Sequence, residues 1–154
     1  MEYKTATNEM ADAVHNVLHT TIQTVYPKYY PKEVSEFFCH HHSKEHILSG
    51  ISSGNMGVLT DNGVIVGTGC FDKNHITGLY VLPSYQKRGC GSYIMDCLET
   101  KIAEKYDTII LDASLPAVFI YENRGYKTIG HGIIELKNDV KLVYEIMEKK
   151  LSTN

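Results

Sequence analysis

No window of the sequence approaches the ~18 uninterrupted apolar residues of a membrane-crossing helix, so no membrane partner is expected. Paired cysteines are missing too: Cys39, Cys70, Cys90 and Cys97 are scattered with no CxxC among them, which argues against a disulfide framework or a zinc clip and for free thiols. Basic charge is in short supply. Fifteen Lys and Arg stand against eighteen Asp and Glu, a formal charge of −3 with a pI near 6.2, so no nucleic-acid partner is expected. The beginning, MEYKTATNEMADAV, carries acids where a secretion signal would carry a basic region followed by an apolar stretch, and a cytoplasmic location is expected. Repeats, linkers and charge blocks are also lacking. What remains is a chain of 154 residues, 43% hydrophobic and 21% charged, which reads as one globular domain over 1–154.

The hydrophobic pattern changes period along the chain. Glu2 to Thr7 suits a short strand, and Asn8 is placed to cap a helix carrying Met10, Val14, Val17, Leu18, Ile22 and Val25 at helical spacing until Pro27. A proline-bounded loop, Tyr26 to Pro31, leads to a second helix from Lys32, with Val34, Phe37, Phe38, His41 and Leu48 on one side. From Met56 an extended pattern takes over, three strand-like runs joined by turns at Asp61-Asn-Gly63 and Asp72-Lys-Asn74 and closed by Pro83. Ile94, Leu98 and Ile102 mark a further helix. The continuously apolar centre of Thr108 to Ser114 marks a buried strand, returning after a helix and therefore paired parallel to the strand that ends at Val81. Pro116 opens a short helix that stops at Gly125, and a hairpin turning at Asn138-Asp139 completes the order β-α-α-β-β-β-α-β-α-β-β. This is an α/β (α+β) chain with a single mixed, mostly antiparallel sheet of about seven strands and helices on both faces.

The strongest local signal is Gln86-Lys-Arg-Gly-Cys-Gly91, between a strand and a helix. The first amides of a helix have no internal partners and carry partial positive charge, so an anion belongs there. Gly89 and Gly91 let a phosphate approach the main chain, Lys87 and Arg88 add charge, and the Gln86 amide can donate. The Gly-Lys-Ser/Thr of a Walker loop is absent, and no third glycine follows Gly91 as the dinucleotide fingerprint requires. A plain turn with a basic rim is the alternative. Gly67-Thr-Gly69 lies inside a hairpin with no helix after it and reads as a strand irregularity.

The segment Leu79-Tyr-Val-Leu-Pro-Ser-Tyr-Gln-Lys-Arg-Gly-Cys-Gly91 resembles the acetyl-CoA signature of the GCN5-related N-acetyltransferases, whose core is Gln/Arg-x-x-Gly-x-Gly/Ala. Ala117-Val-Phe-Ile-Tyr-Glu-Asn-Arg-Gly-Tyr126 is similar to that family's second motif, and Tyr144 to Leu151 is also of family type. The resemblance implies the GNAT fold and acetyl-CoA as co-substrate, its pantetheine pairing with the exposed main chain of Leu79, Tyr80 and Val81 as in strand addition, with Gly78 permitting a bulge. It implies diphosphate contacts from Gln86, Lys87, Arg88, Gly89, Cys90, Gly91 and Ser92. Further cofactor contacts would come from Ser114, where many members have Asn, and from Asn123 and Arg124.

The implied reaction is attack of a neutral amine on a thioester, which needs an oxyanion donor, an acid for the departing thiolate and a path for the amine's proton. The resemblance assigns the first to the main-chain amide near Val81 and the second to Tyr121, although a phenol near 10 giving its proton to a thiolate near 8.5 is uphill by roughly 2 kcal/mol. His75, eleven residues before Gln86, matches the place of a Glu or His that relays the amine's proton. Because an imidazole near 6.5 cannot readily deprotonate an ammonium near 10.4, a water-linked relay is the expected role. Cys90 is a thiol near a helix start or a small spacer.

His40-His41-His42 invites a metal reading, but neighbouring helical side chains point about 100° apart, so no metal is expected there; position 41 fits the apolar face and 40 and 42 the solvent or acceptor side. Tyr29, Tyr30 and Phe38 fall where the family builds its acceptor pocket. The expected activity is an acetyl-CoA-dependent N-acetyltransferase acting on a primary amine of a small molecule or peptide by direct attack, as a monomer or homodimer. The alternatives are a non-catalytic acyl-CoA-binding domain, or an acyltransferase using another acyl chain or a hydroxyl acceptor. The presence of both Tyr121 and His75 favours catalysis over sensing.

Overall fold

A computed structural model describes residues 1–151; the expected domain boundary at 154 lies just outside the described residues. The chain order is β1 (Glu2–Thr5), α1 (Ala11–Val25), α2 (Lys32–His41), α3 (Lys44–Ser52), β2 (Met56–Asp61), β3 (Val64–Asp72), β4 (His75–Val81), α4 (Cys90–Ala103), β5 (Thr108–Ser114), α5 (Val118–Glu122), β6 (Lys127–Glu135) and β7 (Lys141–Lys150). Among the described residues the seven strands form one sheet in the order β1-β2-β3-β4-β5-β7-β6. Every neighbouring pair is antiparallel except β4–β5, which is parallel as the intervening helix requires.

Alternation along the strands divides the interior in two. Leu59, Val66 and Val81 face α4 and meet Ile94, Leu98 and Ile102, while Val58 and Met56 face the other way onto Val14 and Leu18 of α1 and Ile47 of α3. Gly67 adjoins the expected irregularity, and both Gly67 and Gly69 also belong to this packing. A Cβ on Gly67 would sit 2.9 Å from Ile94 Cδ1 and one on Gly69 would sit 2.7 Å from Ile94 Cγ2, so both are bare because α4 lies close on the sheet. The slip in β2–β3 register falls beside them, at Val66.

Two helix boundaries differ from expectation. Asn8 lies inside a 3-10 turn, Asn8–Met10, and caps nothing; α1 begins three residues later. The expected long second helix is two helices. His42 leaves helical geometry (φ −95°, ψ 53°), and the Ser43 hydroxyl caps α3 by accepting from the His46 amide at 3.2 Å. The break turns His42 inward, 8% exposed, and leaves His41 at the surface, the reverse of the expected placing.

Behind the sheet, α5 is tied to α4 through a buried carboxylate. Glu99 accepts from the Arg124 guanidinium, from the Tyr126 hydroxyl at 3.0 Å and from Lys149 Nζ at 3.2 Å. Glu99→Ala would leave the largely covered Lys149 and the Tyr126 hydroxyl without their partner and Arg124 with Asp96 alone, and we expect a loss of about 2–3 kcal/mol, discounted for the residual exposure of the cations. That corresponds to a fall of about 5–10 °C in the thermal midpoint, measurable by circular dichroism.

Candidate active site

The parallel pair β4–β5 is joined only at its beginning, where His75 stands opposite Ile110 and Ile76 opposite Leu111. Beyond Ile76 a bulge at Thr77, next to Gly78, shifts the register of β4 against β3, and the two parallel strands part. The Leu82 amide donates back to the Val66 carbonyl on β3 at 2.9 Å. By alternation the main-chain groups of Leu79 and Val81 face the opening, where β5 offers them no ladder partner. The Val81 carbonyl is taken up locally, accepting from Thr21 Oγ1 at 3.2 Å and Gln86 Nε2 at 3.0 Å. Its amide and both main-chain groups of Leu79 remain for a chain laid along the edge.

At the mouth of this opening lies the glycine loop. After a 3-10 turn, Pro83–Tyr85, the backbone takes left-handed conformations at Lys87 (φ 61°) and Gly89 (φ 84°), and α4 starts at Cys90 with no side-chain cap. The first helical bond runs from the Tyr93 amide to the Gly89 carbonyl at 3.0 Å, so the amides of Cys90, Gly91 and Ser92 point out of the helix end unpaired. A Cβ built on Gly89 or Gly91 would meet nothing within 4 Å, which leaves a cradle of bare amides at the positive end of the helix. Lys87 and Arg88 are exposed beside it, the Arg88 guanidinium lying 4.9 Å over the Tyr85 ring.

Several expected cofactor contacts take other work in the structure. The Gln86 amide fastens the loop to the end of β4, so its donor is not aimed at an anion. The Cys90 thiol is buried, with its sulfur 3.6 Å from that of Met1, and serves as a small core residue. Arg124 is committed to Asp96 at 2.7 Å, to Glu99 and to the Ser92 hydroxyl at 3.0 Å. Asn123 is exposed at the end of α5. Ser114 closes β5 on the far bank of the opening.

Tyrosines gather at the opening. Tyr121 on α5 is largely covered, and burial first, then nearby Tyr26, pushes its phenol up to about 12, with Arg124 pulling the other way. The Tyr80 hydroxyl lies 3.5 Å from that of Tyr26 and 3.2 Å from His42 Nε2. Tyr30 reaches over from the α1–α2 connection, its hydroxyl buried beside Ser114 and the Leu115 amide without a well-formed hydrogen bond to either. Phe38 stacks edge-on against Tyr26 at 5.2 Å, whereas Tyr29 is 59% exposed. His75 stands at the closed end of the opening, its Nε2 3.5 Å from an Asp112 carboxylate oxygen, both side chains partly exposed. Against α3 and the α2–α3 turn lies a cavity of about 400 Å³ that borders the bulge through Thr77, Gly78 and Tyr80 and takes in His42.

Sequence reasoning missed the side chains of Tyr26, Tyr80 and His42. Tyr80 was expected only through its main chain; period-two alternation, which puts its ring on the face opposite the Leu79 and Val81 side chains, is the signal that finds it. Among the described residues no group of three or more His, Cys, Asp or Glu is arranged to hold a metal ion, and no helix is long and apolar enough to cross a membrane.

Two strands that part, with the bare amides of an uncapped helix end at the mouth, form the frame of this site. The chain belongs to the acetyltransferase (GNAT) domain family, whose model matches residues 25–144. Among solved structures it is similar to a GCN5-related N-acetyltransferase from Rhodopseudomonas palustris, at 24% identity over 97% of this chain and 95% of that one, with a TM-score of 0.89. It is also similar to the PaiA N-acetyltransferase of Thermoplasma acidophilum in complex with coenzyme A, at 19% identity over 97% and 98% of the two chains and a TM-score of 0.77. A third is YncA of Salmonella typhimurium with acetyl-CoA, at 15% identity over 100% and 95% and a TM-score of 0.73. A search of curated proteins finds no match.

Proposed function

We propose that this protein is an acetyl-CoA-dependent N-acetyltransferase that moves the acetyl group directly to a primary amine of a small molecule or peptide. The observation that carries the reading is the conjunction of the unpaired β4 edge at Leu79 and Val81 with the bare amides of Cys90, Gly91 and Ser92 at its mouth. The residues present fit acetyl-CoA: the helix end and Lys87 and Arg88 suit its diphosphate, and the open edge suits its two pantetheine amides. When bound, acetyl-CoA supplies an activated acyl thioester.

The chain's own residues do the rest. The main-chain amide near Val81, fixed by the sheet and facing the opening, takes the oxyanion that develops on the carbonyl, without reorganising as it forms. Tyr121, held neutral by burial, keeps its proton for the departing sulfur. His75, backed by Asp112 and partly open to solvent, passes the amine's proton outward through water. Tyr30 and Phe38 wall the acceptor side, with Tyr29 at the rim. The same two features would serve a domain that only binds acyl-CoA, so turnover decides between them. Acetyl-CoA and the protein are mixed with a panel of alkylamines, polyamines, amino acids and peptides, and free CoA thiol is followed. Thiol release that depends on at least one amine is expected; tight binding with no thiol from any acceptor would overturn the assignment.

A further inference from the structure

A sheet ends in two edges, and this one guards them unequally. At one side β1 is only four residues long and carries the exposed charges of Glu2 and Lys4. At the other, β6 runs for nine residues, Lys127 to Glu135, with no proline, and β7 is its only strand neighbour. Short length and charge keep an edge from pairing, and β6 has neither along its middle. Its outer row of main-chain groups is open, and Ile129 and Ile133 lie there 57% and 62% exposed. The order of the residues shows what fits. An antiparallel copy of β6 centred on His131 sets Ile129 against Ile133, Gly130 against Gly132 and, at the ends, Lys127 against Glu135, each twice over. We propose that β6 is the contact between two copies of this chain, paired antiparallel about a two-fold axis at His131, so that the sheet of one copy continues into that of the other.

The match belongs to this centre. Moving the axis one residue to either side sets Lys127 against Ile133 or Ile129 against Glu135, an isoleucine facing a charge in both cases. With the axis at His131 the isoleucines and the opposite charges meet as cross-strand neighbours, the unit from which a sheet draws its stability. Both faces of the join are furnished. On one, residues 129, 131 and 133 alternate to the same side, and the His131 Nε2 there lies 3.6 Å from Glu145 Oε1, so two carboxylates flank the two imidazoles that meet at the axis. On the other, the Tyr144 ring lies across Gly132, and Ile146 Cδ1 is 3.8 Å from where a Cβ on Gly130 would stand, so β7 supplies the apolar cover that the glycines do not. A bulge at Ile129 interrupts the ladder with β7, and bulges also turn edges away from neighbours. Here it leaves Gly130 to Glu135 in unbroken register, so the turn falls toward the ends of the join, where the long Lys127 and Glu135 side chains bridge it. An extended peptide of another protein would find the same open row, but a second β6 brings an isoleucine to each isoleucine and the opposite charge to each end. Strand against strand is a narrow contact, so a dimer that dissociates in the micromolar range is expected.

Sedimentation of the full chain across about 1–200 µM, with no ligand added, reads the equilibrium without reference to acetyl transfer. Wild type is expected to pass from one copy to two with a dissociation constant of about 1–20 µM. Ile133→Lys should raise that constant at least about 10-fold, with a thermal midpoint within about 2 °C of wild type because the side chain it replaces is already exposed. Lys127→Glu and Glu135→Lys should each weaken the dimer by about 3–10-fold, and the two together should restore it, which a merely damaged strand would not do. His131→Cys gives the sharpest reading. A residue on the axis faces its own copy, and Cα atoms directly opposite across antiparallel strands are about 4.5–5.5 Å apart, within reach of a disulfide. Mild oxidation should therefore join two chains at position 131, whereas wild type with its four free thiols and Lys4→Cys on the opposite edge should stay unlinked. If Ile133→Lys fails to fold, the paired charge exchange and the disulfide decide. A single chain at every concentration would overturn the proposal and leave the edge to an extended peptide of another protein. A dimer that survives Ile133→Lys and forms no link at 131 would put the contact elsewhere and overturn it equally.

Discussion

Gly91→Val is expected to weaken acetyl-CoA binding by about 100-fold, roughly 2.7 kcal/mol, while the thermal midpoint of the free protein stays within about 2 °C of wild type. Gly91 lies in the first turn of α4 without a positive φ, and a Cβ there meets no atom within 4 Å, so the folded protein has no reason to resist the side chain. What the side chain takes up is the space over the unpaired amides of the helix end. Losing one or two charge-assisted hydrogen bonds, at about 1.5–3 kcal/mol each, accounts for the effect. Gly89 is the less clean position, because its φ of 84° would strain any other residue whatever it binds. Titration calorimetry measures the change, and an unaltered dissociation constant would mean that the diphosphate is held elsewhere.

The second large effect is on chemistry. Tyr121→Phe should lower kcat by about 100–1,000-fold and leave the acetyl-CoA dissociation constant within about 2-fold. With its phenol pushed up to about 12 by burial and Tyr26, the neutral form is the one the fold favours, so Tyr121 stays protonated through pH 10 and contributes no alkaline loss of turnover below that. Full transfer to a thiolate near 8.5 is uphill by about 3.5 pKa units, roughly 5 kcal/mol, steeper than for an ordinary phenol. The proton therefore moves as the carbon–sulfur bond opens, when the sulfur is most basic toward it, and not before. Stopped-time assays across pH 6–10 check both points. Turnover at the wild-type level in Tyr121→Phe would remove its role as acid.

The parts of this account that were legible in the sequence are those governed by local rules. The glycines at 89 and 91 announce the open, uncapped start of α4, with the exposed cations at 87 and 88 beside it, and the apolar centre of Thr108–Ser114 after a helix announces the parallel pair that opens. The rest depended on through-space partners. Nothing near Gln86 in sequence says that its amide will turn back to Val81, and nothing near Tyr80 says that a histidine 38 residues earlier will meet its hydroxyl. The inward turn of His42 follows from one capping serine at 43, a signal outweighed by the run of helix-compatible residues on either side. Gly67 and Gly69 looked like defects in a strand because the helix that needs them bare, α4, is distant in the chain.

The central claim is that the amides at the start of α4 seize a diphosphate and the open edge of β4 aligns what hangs from it. Titration calorimetry comparing acetyl-CoA with acetyl-pantetheine, which lacks the diphosphate, tests it most directly. One molecule of acetyl-CoA per chain is expected to bind, at least about 100-fold more tightly than the truncated thioester. Equal affinity for the two, or no heat with acetyl-CoA on folded protein, would contradict it.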